Sequence, residues 1–378
     1  MLPVACPLVG TSAAATQGAV DRCWGDIANA LAEGPQDLTS VEAHLRSLAP
    51  SVADQIERDR ANAPLKSLWG KSINFDELAK ATIVVPGILD AINDLALVPA
   101  RDDRITHAGF EHTYGYLLSV LKTPFGFKRA RWVTEDIETG FGLARGTLSP
   151  AASSGTLLSN LTYFAGNIAF GTHARARDVL DLAGANADAA LKSYEFHAVR
   201  AKTRRLEESL ALEGGRTVVL RTDFVPFVNA LRPAVTADGG AIAPNAQLLV
   251  YSIDDSSLEL PRLVTAFAVT DSFVATALNP ANLGDGKTII TRYNGFVSDV
   301  TGHDGLGDHP AARTGTRRVI TSSASNDALP EVCNVNAAHV ANRAYCDAQY
   351  EDWAIQCCPL GQVANGGCTI EVQRCRVR

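Results

Sequence analysis

At Gly214-Gly215 the hydrophobic period of this chain changes, and that change limits the fold more than any motif does. Before it, apolar residues recur at helical spacing. Val20, Trp24, Ile27 and Leu31 mark one face, with Gly34-Pro35 as the stop, and Leu45 and Leu48 mark a second helix that Thr39 or Ser40 can cap and that breaks near Pro50. The pattern resumes from Phe75 to Ala81 behind Asn74 or Asp76, then from Ile88 to Leu97, and it predicts a long helix or helix pair from His173 to Leu212. Beyond the glycines, β-branched and aromatic runs replace it: Thr217 to Val228, Gln247 to Ile253, Leu263 to Val269, Phe273 to Leu278 and Thr288 to Val297, separated by Asp, Asn, Gly and Pro turns.

Helices first and strands second predict an α+β protein rather than an alternating doubly wound one. The expected organisation is a mainly helical region 1–214, a mainly antiparallel β region 215–330 that ends in a long polar loop from Ser298 to Pro330, and a Cys-rich module 331–378. With 46% hydrophobic and 20% charged residues the chain is a folding globular one, not a disordered or fibrous one. A formal net charge of −7 argues against general nucleic-acid affinity, which rests on cations that neutralise phosphates. The longest uncharged interval, Gly146 to Ala174, holds too many Ser, Asn, Gly and Pro residues to span a membrane and reads as a turn-rich lead into a buried element.

Of eight cysteines, Cys6 and Cys23 lie near the start and Cys333, Cys346, Cys357, Cys358, Cys368 and Cys375 in the tail. An even count in a short polar tail points to a module stapled by disulfides, hence an oxidising, extracytoplasmic compartment. A thiolate zinc site is the competing reading, weakened by the absence of a C-x-x-C pair. Leu2 to Val9, interrupted by Pro3 and Pro7 and without a preceding Lys or Arg, lacks the pattern of a signal peptide.

Chemistry-bearing residues are densest from His107 to Trp132. His107 and His112 stand five apart, which fits neither metallopeptidase spacing and makes them diverge on a single helix. If Gly109 breaks the backbone they can converge, with His112 as general base and Glu111 as the acid that orients it. The bland alternative is a partly buried histidine among aromatics. Downstream, Arg129 and Arg131 alternate with Phe125, Phe127 and Trp132, an arrangement suited to an anionic substrate group or to a cation-π surface.

The run Gly109-Phe110-Glu111-His112, followed shortly by an aromatic, resembles the first histidine motif of EndoU-type ribonucleases. The resemblance covers only these residues. It implies a second histidine and a downstream lysine, and GFKRARW has no histidine where the second would be sought, so the activity is not carried over.

A second candidate is the glycine-rich loop holding His303, Asp304, Asp308 and His309, four ligand types suited to a divalent transition metal such as zinc, manganese or iron rather than calcium. Exposed turns are also simply rich in Gly, Asp and His. No G-x-S-x-G elbow, Walker loop or dinucleotide fingerprint occurs. The function expected is therefore an extracytoplasmic hydrolase with a His/Glu acid-base site, possible metal assistance and a polar or anionic substrate. The alternative is a noncatalytic secreted or surface protein that binds a partner through its β half and its tail.

Overall fold

A computed structural model describes residue 6 and residues 17–76, 79–99, 105–123, 126–131, 134–149, 155–227, 247–290 and 312–321, together with short strands at 331–332, 351–354, 358–359 and 374–377. The chain is α+β, with helices in the N-terminal half and a six-stranded antiparallel sheet in the C-terminal half. It divides into two compact units, one of residues 1–194 and 205–319 and the other of residues 195–204 and 320–378.

The first unit begins with α1 (Gln17–Glu33), α2 (Leu38–Leu48), α3 (Pro50–Arg60) and α4 (Ala63–Ser67). Asp37, not Thr39 or Ser40, caps α2, accepting from the Ser40 backbone N–H at 3.0 Å. Pro50 starts α3 at its first turn, where the missing N–H costs nothing. Within the stretch from Phe75 to Ala81, expected as a helix, none of the described residues is helical, and Asp76 bridges Ala81. Buried Asn74 instead spends its side chain on the backbone of Ile83 and Val84, which braces a loop. Helix α5 (Pro86–Leu95) follows.

A two-stranded ribbon pairs β1 (Lys71–Ile73) with β2 (Ile105–His107). The chain then forms one helical turn, α6 (Ala108–Phe110), a five-residue π turn over Glu111–Gly115 and a 3-10 turn over Tyr116–Leu118 that stops at Ser119. Short strands β3 (Lys122–Thr123) and β4 (Gly126–Phe127) pair with each other, and α7 (Thr134–Gly140) follows. The uncharged interval becomes α8 (Leu157–Phe170), nearly every residue of which is buried. Thr156 and Ser159 form its capping box.

The long helix or helix pair expected from His173 to Leu212 is instead α9 (Ala174–Ala183), α10 (Ala189–Lys192), α11 (Phe196–Ala201) and strand β5 (Arg204–Ala211). Leu206, Glu208 and Leu210 are buried at every second position, the period of a strand. Gly214 and Gly215, both at positive φ, make the turn from β5 into β6 (Thr217–Pro226), so the sheet begins before the glycines. Strands β7 (Gln247–Asp255), β8 (Arg262–Val269), β9 (Gly284–Ile290) and β10 (Ala312–Thr321) complete the order β8-β7-β6-β5-β10-β9. Residues 312–321, expected within a polar loop, are thus a strand. Phe273 to Leu278, expected as a strand, lies in and just beyond α12 (Asp271–Ala277), which Thr270 caps. In the second unit, short strands β11 (Glu331–Val332) and β13 (Cys358–Pro359) pair, as do β12 (Glu351–Ala354) and β14 (Arg374–Val377).

Candidate acid-base site

The ribbon β1–β2 is joined to the sheet through the residues before it. Gly70 N–H donates to the Leu263 carbonyl at 2.8 Å and Leu263 N–H to the Leu68 carbonyl at 2.7 Å, so this segment runs along the edge of β8. Trp69, almost fully buried, donates its indole N–H to Thr162 of α8 at 2.7 Å. The turn after β2 packs closely on these elements because its two glycines permit it. A Cβ on Gly109 would sit 2.8 Å from the Trp69 ring, and one on Gly115 2.8 Å from the Leu89 side chain. A π turn inserts one extra residue per turn relative to an α-helix, a distortion that recurs at functional sites. Here it carries Glu111 and His112.

Ser72 and Thr106 face each other across the ribbon and lie on one face of it, since partners in register share a face. The Ser72 Oγ is 3.1 Å from His112 Nε2, and Thr106 donates to Glu111 Oε2 at 2.9 Å. The second ring nitrogen, Nδ1, is 2.5 Å from the Val264 carbonyl of β8. A carbonyl only accepts, so Nδ1 carries the proton and Nε2 presents its lone pair to the Ser72 hydroxyl. Glu111 Oε2 lies 3.6 Å from the same Nε2, and Glu111 Oε1, fully buried, has no hydrogen-bond partner.

Burial sets the charge states. Desolvation raises the Glu111 carboxyl to about 7, against smaller opposing effects of Ser72, Thr106 and the Lys128 charge. Desolvation lowers His112 to about 3, so its imidazole is neutral at physiological pH. The Lys128 ammonium stands 5.6 Å from the centre of the Tyr116 ring, which in turn lies 4.7 Å from the His112 ring. Behind the turn, Tyr114 donates to Asp59 Oδ2 of α3 at 2.8 Å, and Thr156 at the start of α8 donates to Asp59 Oδ1 at 2.5 Å. Desolvation pushes the Asp59 carboxyl up to about 7 as well.

Of the residues singled out by sequence, Glu111 and His112 come together, while His107 and Arg129 part from them. His107 follows Thr106 in an extended strand and therefore projects from the opposite face. Its Nε2 lies 3.2 Å from the Lys66 carbonyl, its ring packs on Phe110, and burial lowers it to about 3. Arg129 is a structural clamp. Its guanidinium donates to the Ser119 carbonyl at 2.5 Å, lies 3.8 Å from the centre of the Phe127 ring and closes on Gly25 of α1. Arg131 falls in a 3-10 turn, and its side chain lies outside the described part of the structure. His303, Asp304, Asp308 and His309 also lie outside the described residues. Among the described residues no group of three or more His, Cys, Asp or Glu side chains is placed to hold a metal ion.

The pattern of residue types around the histidines omits Ser72, Thr106 and Val264, whereas Lys128 falls inside the basic and aromatic stretch. Ser72 precedes His112 by 40 residues and the carbonyl of Val264 follows it by 152, and no local spacing connects them. Comparison with known protein families, curated proteins and solved structures finds no match.

Proposed function

We propose that the chain is a hydrolase in which His112 is the general base and Glu111 its partner carboxyl, acting on a polar or anionic substrate. The observation that carries this reading is the adjacency of Glu111 Oε2 and His112 Nε2, 3.6 Å apart, in surroundings that push their proton affinities in opposite directions. Such opposed pairs divide acid and base roles. When His112 takes a proton, the Glu111 carboxylate is the countercharge for the imidazolium, and the nearby Lys128 charge favours negative charge developing on a substrate. The Cys6–Cys23 disulfide supports an oxidising, extracytoplasmic setting.

A second reading, a noncatalytic protein that binds a partner, has its own support. Ser72, Glu111 and His112 are 3%, 0% and 5% exposed, so the same bonds serve to tie the ribbon to the sheet. The test is turnover of a panel of chromogenic carboxylic, phosphate and sulfate esters by wild type, Glu111→Gln and His112→Gln, each checked for folding by circular dichroism. Turnover that falls by about a hundredfold or more in folded His112→Gln supports the hydrolase, in line with the usual worth of a general base. No turnover by wild type, or equal turnover by all three, supports the binding protein.

A further inference from the structure

The tautomer of His112 has a consequence for Ser72. We infer that Ser72 is a nucleophile, activated by His112, and that the substrate class is a carboxylic ester whose acyl group passes through Ser72. This rests on the hydrolase reading of the same site and adds a covalent step to it.

Three observations converge. First, the proton on Nδ1 is held by the Val264 carbonyl at 2.5 Å, which leaves Nε2 as an acceptor, and the Ser72 Oγ at 3.1 Å is the hydroxyl that meets it, a hydroxyl shared with the Glu111 carboxyl. The third group that fixes the imidazole is thus a main-chain carbonyl on a sheet strand, in the place a carboxylate takes in a triad. Second, Ser72 sits in the middle of β1, opposite Thr106, so its position is set by strand pairing and not by a mobile loop. Third, Glu111 lies on the same nitrogen at 3.6 Å, so the charge formed on His112 during attack is met without a side-chain rearrangement. Glu111 Oε1, fully buried beside these groups, is a polar atom without a hydrogen-bond partner.

The step balances within these groups and water. As Ser72 Oγ bonds to the acyl carbon, its proton passes to His112 Nε2. The bond from acyl carbon to leaving oxygen then breaks, and Nε2 returns the proton to that oxygen, releasing an alcohol. Water repeats the sequence on the acyl-Ser72 ester, with its proton relayed through Nε2 to Ser72 Oγ, releasing the acid. No oxidant, reductant or metal enters.

The experiment is covalent labelling of the full chain with a sulfonyl fluoride, read by intact mass and peptide mapping. In that reaction the Ser72 oxygen displaces fluoride from sulfur and the hydroxyl proton leaves with it through His112. One adduct per chain at Ser72, lost in folded Ser72→Ala and reduced at least about tenfold in folded His112→Gln, is the expected result. No adduct at Ser72, or an adduct insensitive to His112→Gln, overturns the proposal without any need for a variant at Ser72. Ester turnover on the same samples separates the two readings. Labelling without turnover keeps Ser72 as an activated nucleophile and removes the hydrolase, whereas turnover that persists in Ser72→Ala keeps the hydrolase and removes the covalent step.

Discussion

Asp59→Asn is expected to stabilise the protein progressively as pH rises, relative to wild type. Asp59 is 2% exposed and its carboxyl is raised from 3.8 to about 7 by burial, so folding favours the protonated form. Between those values the folded chain binds a proton that the unfolded chain has released, and wild-type stability falls as pH rises. For an ordinary value of 3.8 and a folded value of about 7, the stability lost to this group is roughly 2 kcal/mol at pH 5 and roughly 4 kcal/mol at pH 8. Asparagine does not ionise, so the variant escapes the loss of about 2–3 kcal/mol between the two conditions. Its geometric cost does not vary with pH. The amide replaces one acceptor facing Tyr114 or Thr156 with a donor, which a hydroxyl rotor can meet by accepting. His107 and His112, lowered to about 3, add stability as pH rises through the acid range, but they do so in both proteins and cancel in the comparison. Urea unfolding of wild type and variant at the two pH values measures the difference directly. If the gap between them is the same at both, Asp59 is not held neutral by burial and the account of this node is wrong.

Gly109→Ala should cost about 1–3 kcal/mol by overpacking, since the new methyl meets the immobile Trp69 ring at 2.8 Å; an unchanged melting temperature would contradict it. Arg205→Met should cost about 3–5 kcal/mol, because it leaves the fully buried Asp223 without the guanidinium that holds it at 2.7 and 2.9 Å. Chemical denaturation reads this loss, and a loss below 1 kcal/mol would count against it. Opening the Cys6–Cys23 disulfide, which spans 17 residues, should lower stability by about 3 kcal/mol. Urea unfolding of Cys23→Ser reads this loss, and a Cys23→Ser protein as stable as oxidised wild type would refute it.

The helical half and the antiparallel half were legible because burial imposes period 3.6 on one and period 2 on the other. The misreadings came where two periods fit the same short apolar run. Leu206 and Leu210 are four apart, which suits a helix face as well as a strand, and only the buried Glu208 between them marks the period of two. Phe273 to Leu278 is β-branched and aromatic in part, yet the Thr270 cap decides for a helix. The hairpin glycines announced a break but not its kind, because a turn between strands and an end of a helix both use positive φ. Within the site, Glu111 and His112 stood out by local density. Ser72 did not, since a serine gains chemistry here only from a strand register and from a carbonyl 152 residues beyond the histidine. Arg129 drew notice for its charge, and the fold uses it to join a 3-10 turn to α1.

The pH dependence of ester hydrolysis by wild type and Glu111→Gln tests the central claim most directly. His112 is neutral throughout the range above about 5, and of the two carboxyls raised to about 7 it is Glu111, not Asp59 behind the turn, that lies against its ring nitrogen. The account expects the wild-type rate to climb as pH passes through about 7, when the carboxylate that meets the His112 imidazolium forms, and expects that rise to vanish in Glu111→Gln. A wild-type rate that does not change across neutrality, or a rise that survives in Glu111→Gln, would contradict the pairing of Glu111 with His112.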